Sequence, residues 1–298
     1  MREARVVLIE KGGAFLDDDE LVLFPRRLRR AGGTLAVGDY VRVEAGAIIE
    51  VLPRRTKLSR KAAGQKAIEQ LVAANVDRVF VVCGLDGDYN MRRIERYLVA
   101  MRSGGAEVVV LLNKADLVDD PAARVAEVAA LGVPVHLISA RDGTGLGALA
   151  IGPGETVCFV GSSGAGKSTL LNRLLGRDAQ RTGEVRESDD RGRHITSSRE
   201  LFAVPGGGFV IDTPGMRELG LWDAEEGMAV TFADVEELAQ NCRFRDCRHD
   251  REPGCAVRGV IVDARLADWR KLHGEVDAQE KKRFAKVLSR AYYKMPPK

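Results

Sequence analysis

Nine consecutive residues carry the densest chemistry in this chain: Gly161, Ser162, Ser163, Gly164, Ala165, Gly166, Lys167, Ser168 and Thr169. Glycines in a short loop let the backbone curl around an anion, so that its N–H groups and the first turn of a helix face phosphate. The spacing Gly161-x4-Gly166-Lys167-Ser168 adds a lysine that reaches β- and γ-phosphates and a hydroxyl that binds Mg²⁺. An apolar stretch from Thr156 to Val160 leads in, and a helical pattern from Lys167 to Leu175 leads out. A phosphate loop needs that context of strand, loop and helix.

Such a loop does not choose its base. Asn113-Lys114-Ala115-Asp116, at the end of the apolar run Val108 to Leu112, does. The Asp116 carboxylate can accept from the N1–H and the exocyclic amine of guanine, which adenine cannot match, and a buried carboxylate left unpaired makes the wrong base costly. Asn113 is placed to buttress the loop, and the Lys114 stem to lie along the base. Ser139-Ala140 closes the next predicted strand, Val135 to Ile138, where the Ala140 N–H would meet guanine O6.

Asp212-Thr213-Pro214-Gly215 follows the apolar run Phe209 to Ile211. Asp212 is expected to hold Mg²⁺ through water and Gly215 to sense the γ-phosphate. Thr196 is expected as a second Mg²⁺ hydroxyl, beside that of Ser168. The next residue after Gly215 is Met216, which cannot orient a water as the glutamine of Ras-type enzymes does. His194, in Gly192-Arg193-His194-Ile195-Thr196, is the candidate to position the water. His194, Thr196 and Lys167 are thus the expected catalytic residues.

The order of these motifs is informative. Ras-type GTPases place the phosphate loop first and Asn-Lys-x-Asp late; here the base-reading half comes first. That is a circular permutation, and it puts the ends of the nucleotide module where they can drive attached domains.

Cys242-x4-Cys247-x-His249-x5-Cys255 supplies three thiolates and an imidazole, a donor set suited to one closed, structural, tetrahedral Zn²⁺. Pro253 and Gly254 form the expected turn before the last ligand. Five cysteines in all rule out complete disulfide pairing, and Cys83 and Cys158 fall inside predicted core strands. By contrast, Asp86-Gly87-Asp88-Tyr89-Asn90 only begins like a calcium loop. Met91 sits where that loop needs glycine and Tyr97 where it needs glutamate, so the segment reads as a turn and helix cap.

Positioning these loops takes three kinds of element in 298 residues. Short strands between glycine turns over residues 1–52 predict a small barrel, the OB type being the leading candidate and a small sheet packed on the main domain the alternative. The basic stretch after Pro53 reads as a linker, giving a first domain of 1–57. Strand–helix alternation from Arg78 predicts a largely parallel α/β sheet whose carboxyl-edge loops form the site, within a domain of 58–225. Residues 226–298 read as a mostly helical zinc-binding domain. Its last stretch has an apolar helical face of Phe284, Val287, Leu288, Ala291 and Tyr292.

The net charge of +3 does not announce a nucleic-acid binder, but its distribution says more. Arg26, Arg27, Arg29 and Arg30 form one knot, and 53–66 and 281–298 are basic runs without an acidic residue. Three such runs point to a polyanionic partner. No apolar segment has the length of a membrane span, and the N-terminus lacks a signal-peptide core, so a cytoplasmic protein is expected.

Together the permuted motif order, the barrel-like start, the cysteine–histidine knuckle, Gly-Arg-His-x-Thr and Asp246-Cys-x-His-x-x-Glu-Pro-Gly-Cys255 resemble the ribosome small-subunit-dependent GTPases of the RsgA type. Ile195 and Ser197 depart from the more usual run there, with Thr196 still in register. The resemblance implies an OB domain, a permuted GTPase domain and a zinc domain. It also implies GTP hydrolysis, slow alone and faster on the small (30S) subunit, in late maturation of that subunit. Expected ligands are GTP or GDP with Mg²⁺ and one zinc; the expected partner is the subunit and its rRNA, met by a monomer. Two alternatives stay open: a permuted GTPase acting on the large subunit, and an rRNA-binding module whose nucleotide site is merely structural.

Overall fold

Alternating burial builds the first unit. In this computed structural model, which describes residues 1–30, 33–62, 68–176, 199–213 and 220–293 (side chains to 282), β1 (Arg2–Glu10), β2 (Gly13–Leu16) and β3 (Leu21–Leu23) form an antiparallel meander. A one-turn helix, α1 (Arg26–Arg30), leads to the hairpin β4 (Tyr40–Glu44) and β5 (Ala47–Val51). β3 pairs in parallel with β5 and β1 pairs with β4, which closes the five strands into an OB-type barrel. Val6, Ala14, Leu16, Val22, Val41 and Ile48 fill it. At Gly13 a Cβ would stand 2.2 Å from the Val22 carbonyl oxygen, so only glycine lets β2 approach β3 there. The arginine knot lies on α1, which buries none of its residues.

The stretch read as a linker is more ordered than that. It contains β6 (Lys57–Lys61), which pairs with β7 (Glu69–Ala74). Its cations are engaged: Arg54 makes bonds of 2.6 and 2.8 Å to the fully buried Asp39 carboxylate, Arg55 lies 2.9 Å from Asp77, and Lys57 lies 2.8 Å from Glu69. The sequence Lys-Leu-Ser-Arg-Lys buries only Leu58 and Ser59, so it carried almost no strand pattern.

The second sheet follows the expected alternation. β8 (Arg78–Gly84), α2 (Met91–Arg102), β9 (Glu107–Asn113), α3 (Ala122–Ala129), β10 (Val135–Leu137), β11 (Thr156–Gly161), α4 (Lys167–Leu175), β12 (Glu200–Val204) and β13 (Gly208–Asp212) occur in that order. Spatially the strands run β10-β9-β8-β11-β13-β12, parallel except for β12. Val, Leu, Ile and Phe side chains pack on both faces, as a parallel sheet covered on both sides requires. The carboxyl ends of β8, β9, β11 and β13 therefore share one edge. The barrel joins this sheet through Leu8 of β1 beside Glu200 of β12, and through buried Arg5, which donates to Thr156 Oγ1 at 2.7 Å between the rings of Tyr40 and Phe209.

The C-terminal part is helical: α5 (Glu225–Thr231), α6 (Ala233–Ala239) and the long α7 (Asp263–Tyr293). α5 crosses α2 at Gly227, whose N–H donates to Ser103 Oγ at 3.1 Å and where a Cβ would meet the Val99 carbonyl oxygen at 1.9 Å. Leu266, Trp269, Leu272 and Val276 bury one stripe of α7. The apolar face from Phe284 onward lies outside the described side chains. Among the described residues no helix is long and apolar enough to cross a membrane.

Candidate functional site: a nucleotide cradle and a zinc knuckle

The phosphate loop leaves fully buried β11 at Gly161 and enters α4 at Lys167. Its glycines are there for conformation. Gly161, Gly164 and Gly166 have φ of 148°, 78° and 103°, and a Cβ on Gly166 would lie 2.1 Å from Asn113 Nδ2. Ala165 is buried, Ser163 and Gly164 are exposed, and Ser168 and Thr169 occupy the first turn of α4. Lys167 Nζ donates to the carbonyl oxygens of Gly161, at 2.9 Å, and Ser162. A phosphate would compete with these carbonyls for the same ammonium.

Asn113, last residue of β9 and 1% exposed, ties three loops together. Its Nδ2 donates to the Ala165 carbonyl at 2.7 Å and its Oδ1 accepts from the Ala140 N–H at 2.8 Å. The structure thus gives the N–H expected to read guanine O6 a protein partner, and O6 would have to share it. Lys114 takes a left-handed conformation (φ 66°), and Ala115 to Leu117 form a short 3₁₀ turn carrying Asp116. Ser139, fully buried, donates to Asp116 Oδ1 at 2.7 Å and so orients the carboxylate. Sequence reading missed Arg173 on α4. Its Nε donates to the Ala140 carbonyl at 2.6 Å, and its Nη2 to that of Arg141, holding the base loop from behind.

Asp212 ends β13, whose register with β11 (Cys158 beside Ile211) brings it to the same sheet edge as the phosphate loop. Thr213, the next residue, donates to the Phe159 carbonyl at 2.6 Å. Ser168 and Asp212 offer oxygen donors of the kind Mg²⁺ takes. His194, Thr196, Gly215 and Met216 lie outside the described residues. Cys83 and Cys158 are core residues: burial pushes the Cys83 thiol up and that of Cys158 to about 12.

Cys242, Cys247, His249 and Cys255 converge between α6 and α7, with all four donor atoms within 4.8 Å of one another. His249 Nδ1 lies 3.6 Å from Cys242 Sγ and 3.5 Å from Cys255 Sγ. A tetrahedral zinc with ordinary bond lengths puts nitrogen and sulfur about 3.5 Å apart, so the donor set fits a closed zinc site with Nδ1 as the histidine ligand. The surrounding bonds hold that set in shape. The Ala256 and Arg258 N–H groups donate to Cys242 and Cys255 sulfur at 3.3 and 3.4 Å, Arg270 donates to the His249 carbonyl at 2.7 Å, and Trp269 packs its ring 4.9 Å from that of His249. Gly254 (φ 75°) makes the expected turn. Glu252, the glutamate of the motif from Asp246 to Cys255, caps the loop. Its own N–H and those of Arg248, Asp250 and Arg251 pull its carboxyl down to about 2.

Comparison with known proteins adds a family to this geometry. A family model described as RsgA GTPase matches residues 51–222. The chain is 46% identical over 270 residues to a protein of Methanosarcina acetivorans named small ribosomal subunit biogenesis GTPase RsgA, covering 86% of this chain and 73% of that one. Among solved structures, YjeQ from Thermotoga maritima superposes with a TM-score of 0.64 at 26% identity, covering 92% of this chain and 98% of that one. YloQ, titled a circularly permuted GTPase, superposes with a TM-score of 0.61 over 96% of each chain; at 24% identity that likeness speaks for the fold.

Proposed function

The chain belongs to the RsgA GTPase family, and from that premise we propose that it hydrolyses GTP to GDP and phosphate while bound to the small ribosomal subunit late in its maturation. Binding to rRNA and faster turnover on the subunit are part of this reading, as are a cytoplasmic location and a monomeric state. The observation that carries the nucleotide assignment is Asn113, whose one side chain fastens the base loop, the phosphate loop and the Ser139-Ala140 turn into a single cradle. Such pre-ordering lowers the cost of closing three loops around a ligand.

In this cradle Asp116 reads guanine, Lys167 leaves its resting carbonyls for the β- and γ-phosphates, and Gly161 to Thr169 wrap the phosphates with backbone N–H groups. Ser168 and Asp212 would hold the Mg²⁺ that accompanies GTP, which neutralises charge building up on the phosphates. Thr196, Gly215 and His194 keep the roles their sequence motifs assign: Mg²⁺ ligand, γ-phosphate sensor and water-positioning base. The zinc knuckle has no open coordination position and contributes folding free energy rather than chemistry.

Cosedimentation with isolated small and large subunits tests the reading. Binding to the small subunit with a non-hydrolysable GTP analogue, lost with GDP, is expected. Equal binding to both subunits, or turnover indifferent to the small subunit, would overturn it.

A further inference from the structure

The segment that begins like a calcium loop has another use. It is the turn between β8 and α2, and its two carboxylates each hold one of the nucleotide loops. Asp86 Oδ2 meets Lys114 Nζ at 2.5 Å, while its Oδ1 accepts the Asp88 N–H at 3.2 Å. Asp88 Oδ2 accepts from the Ser162 hydroxyl, and its Oδ1 pairs with Arg93 at 2.8 Å. A second Arg93 nitrogen donates to the Asp88 carbonyl at 2.8 Å. The turn is itself fixed: the Leu85 N–H donates to the Asn113 carbonyl at 2.8 Å, Arg124 donates to the Leu85 carbonyl at 2.6 Å, and Asn90 caps α2 at the Arg93 N–H.

We infer that Asp86 and Asp88 are positioning residues for the bound nucleotide, Asp86 setting the course of the Lys114 stem and Asp88 holding the phosphate loop at Ser162. This inference rests on the guanine-nucleotide reading of the site. Before nucleotide binds, Ser162 is gripped from two sides, its hydroxyl by Asp88 and its carbonyl by Lys167. Once Lys167 turns to the phosphates, the Asp88 bond is the hold that stays on the peptide leading the loop. Two carboxylates beside an anion site would repel phosphate if bare. Here each has a cation: Lys114 on Asp86, where that hydrogen bond holds the carboxyl below its ordinary value, and Arg93 on Asp88. The geometry therefore keeps the positioning bonds while cancelling their charge.

The test is the release of N-methylanthraniloyl-GDP from wild type, Asp88→Ala, Ser162→Ala and the double variant, followed by stopped flow. Each single change is expected to speed release about ten- to a hundredfold, the range for losing a hydrogen bond to a charged group. The double variant should be within about twofold of the faster single one, because both changes remove the same bond. For Asp88→Ala, KM for GTP should rise by a larger factor than kcat falls, a split that general destabilisation does not produce. Asp86→Ala and Lys114→Ala form a second cycle, read in the same way. If Asp88→Ala melts at a much lower temperature, Asp88→Asn replaces it: faster release than wild type supports the hold, and wild-type release opposes it. Unchanged release in both cycles, or additive effects in both, overturns the inference and leaves the nucleotide reading intact. Wild-type protein that binds no N-methylanthraniloyl-GDP overturns both.

Discussion

Arg265 Nη1 stands 2.7 Å from Glu95 Oε1, a contact across 170 residues that fastens the long C-terminal helix to the first helix of the nucleotide domain. The same guanidinium grips Asp234 with bonds of 2.6 and 2.7 Å. Arg92 with Asp268 and Arg96 with Glu275 repeat the connection between α2 and α7. α2 thus touches the nucleotide cradle at its N-terminal end, through Arg93 and Asp88, and the zinc domain along its length.

Glu95 is 2% exposed, and its Oε2 meets no donor among the described residues. Burial raises its carboxyl from about 4.5 to about 7; Arg265 opposes the shift and Asp268 adds to it. Between those values the folded chain keeps a proton that the unfolded chain has released, so this group's contribution to stability is lost as pH rises through that window. The difference in melting temperature between wild type and Glu95→Gln should therefore shrink or reverse from pH 5 to pH 7.5, roughly the interval in which carboxyls so raised titrate. A difference constant with pH would mean that Glu95 does not titrate there. Arg265→Ala, read from denaturant unfolding, should destabilise the fold by less than about 3–5 kcal/mol, the cost of an unpaired buried charge, because Glu95 then keeps its proton and Asp234 is part-exposed.

Asp116→Asn should exchange guanine for xanthine preference, because the amide donates where guanine also donates. Ser139 would still hold the side chain, so the loop itself should stay in place. Calorimetric titration with GDP and with xanthosine diphosphate checks this. Unchanged GDP affinity would remove Asp116 from the base site.

Freshly prepared protein should contain one zinc per chain, and Cys247→Ser should lose it. Because Trp269 packs on His249 and lines the buried stripe of α7, metal removal should also change tryptophan fluorescence before the nucleotide domain melts. Elemental analysis together with a chelator titration followed by fluorescence reads both effects. A full zinc content in Cys247→Ser would place the metal elsewhere.

His194→Ala should sharply reduce subunit-stimulated hydrolysis and leave nucleotide affinity nearly unchanged, since Met216 offers the attacking water no partner. Loss of a positioned acid–base group costs on the order of a hundredfold or more, so stimulated turnover within about twofold of wild type would place that role elsewhere.

What the sequence made legible was local. Phosphate-loop glycines, the Asn113–Asp116 turn and the cysteine knuckle are short segments whose conformation their own residues dictate, and the structure shows the cradle and the knuckle assembled from them. Arg173, Arg265 and the bond from Asp88 to Ser162 were missed for one reason. Each works by meeting a group that chain topology brings near, and no periodicity records that meeting. β6 was missed differently, because a strand that buries two adjacent residues looks like a polar linker.

That correction changes where rRNA contact is expected. Arg54, Arg55 and Lys57 are held by Asp39, Asp77 and Glu69, so reversing their charges would break internal pairs, Asp39 being fully buried. Arg26, Arg27, Arg29 and Arg30 are exposed on α1 and make no ion pair among the described residues. Phosphate neutralisation releases counterions, so each phosphate no longer neutralised should lower the slope of log affinity against log salt by about 0.7–0.9. Reversing two of the α1 arginines should flatten the salt dependence of small-subunit binding with little change in melting temperature. Reversing Arg54 should instead lower the melting temperature, because it leaves the Asp39 carboxylate buried against a second negative charge. Cosedimentation over a salt series and thermal melts of the same variants separate the two outcomes. A slope untouched by the α1 reversals would mean that this knot is solvated surface and that the polyanion is gripped elsewhere.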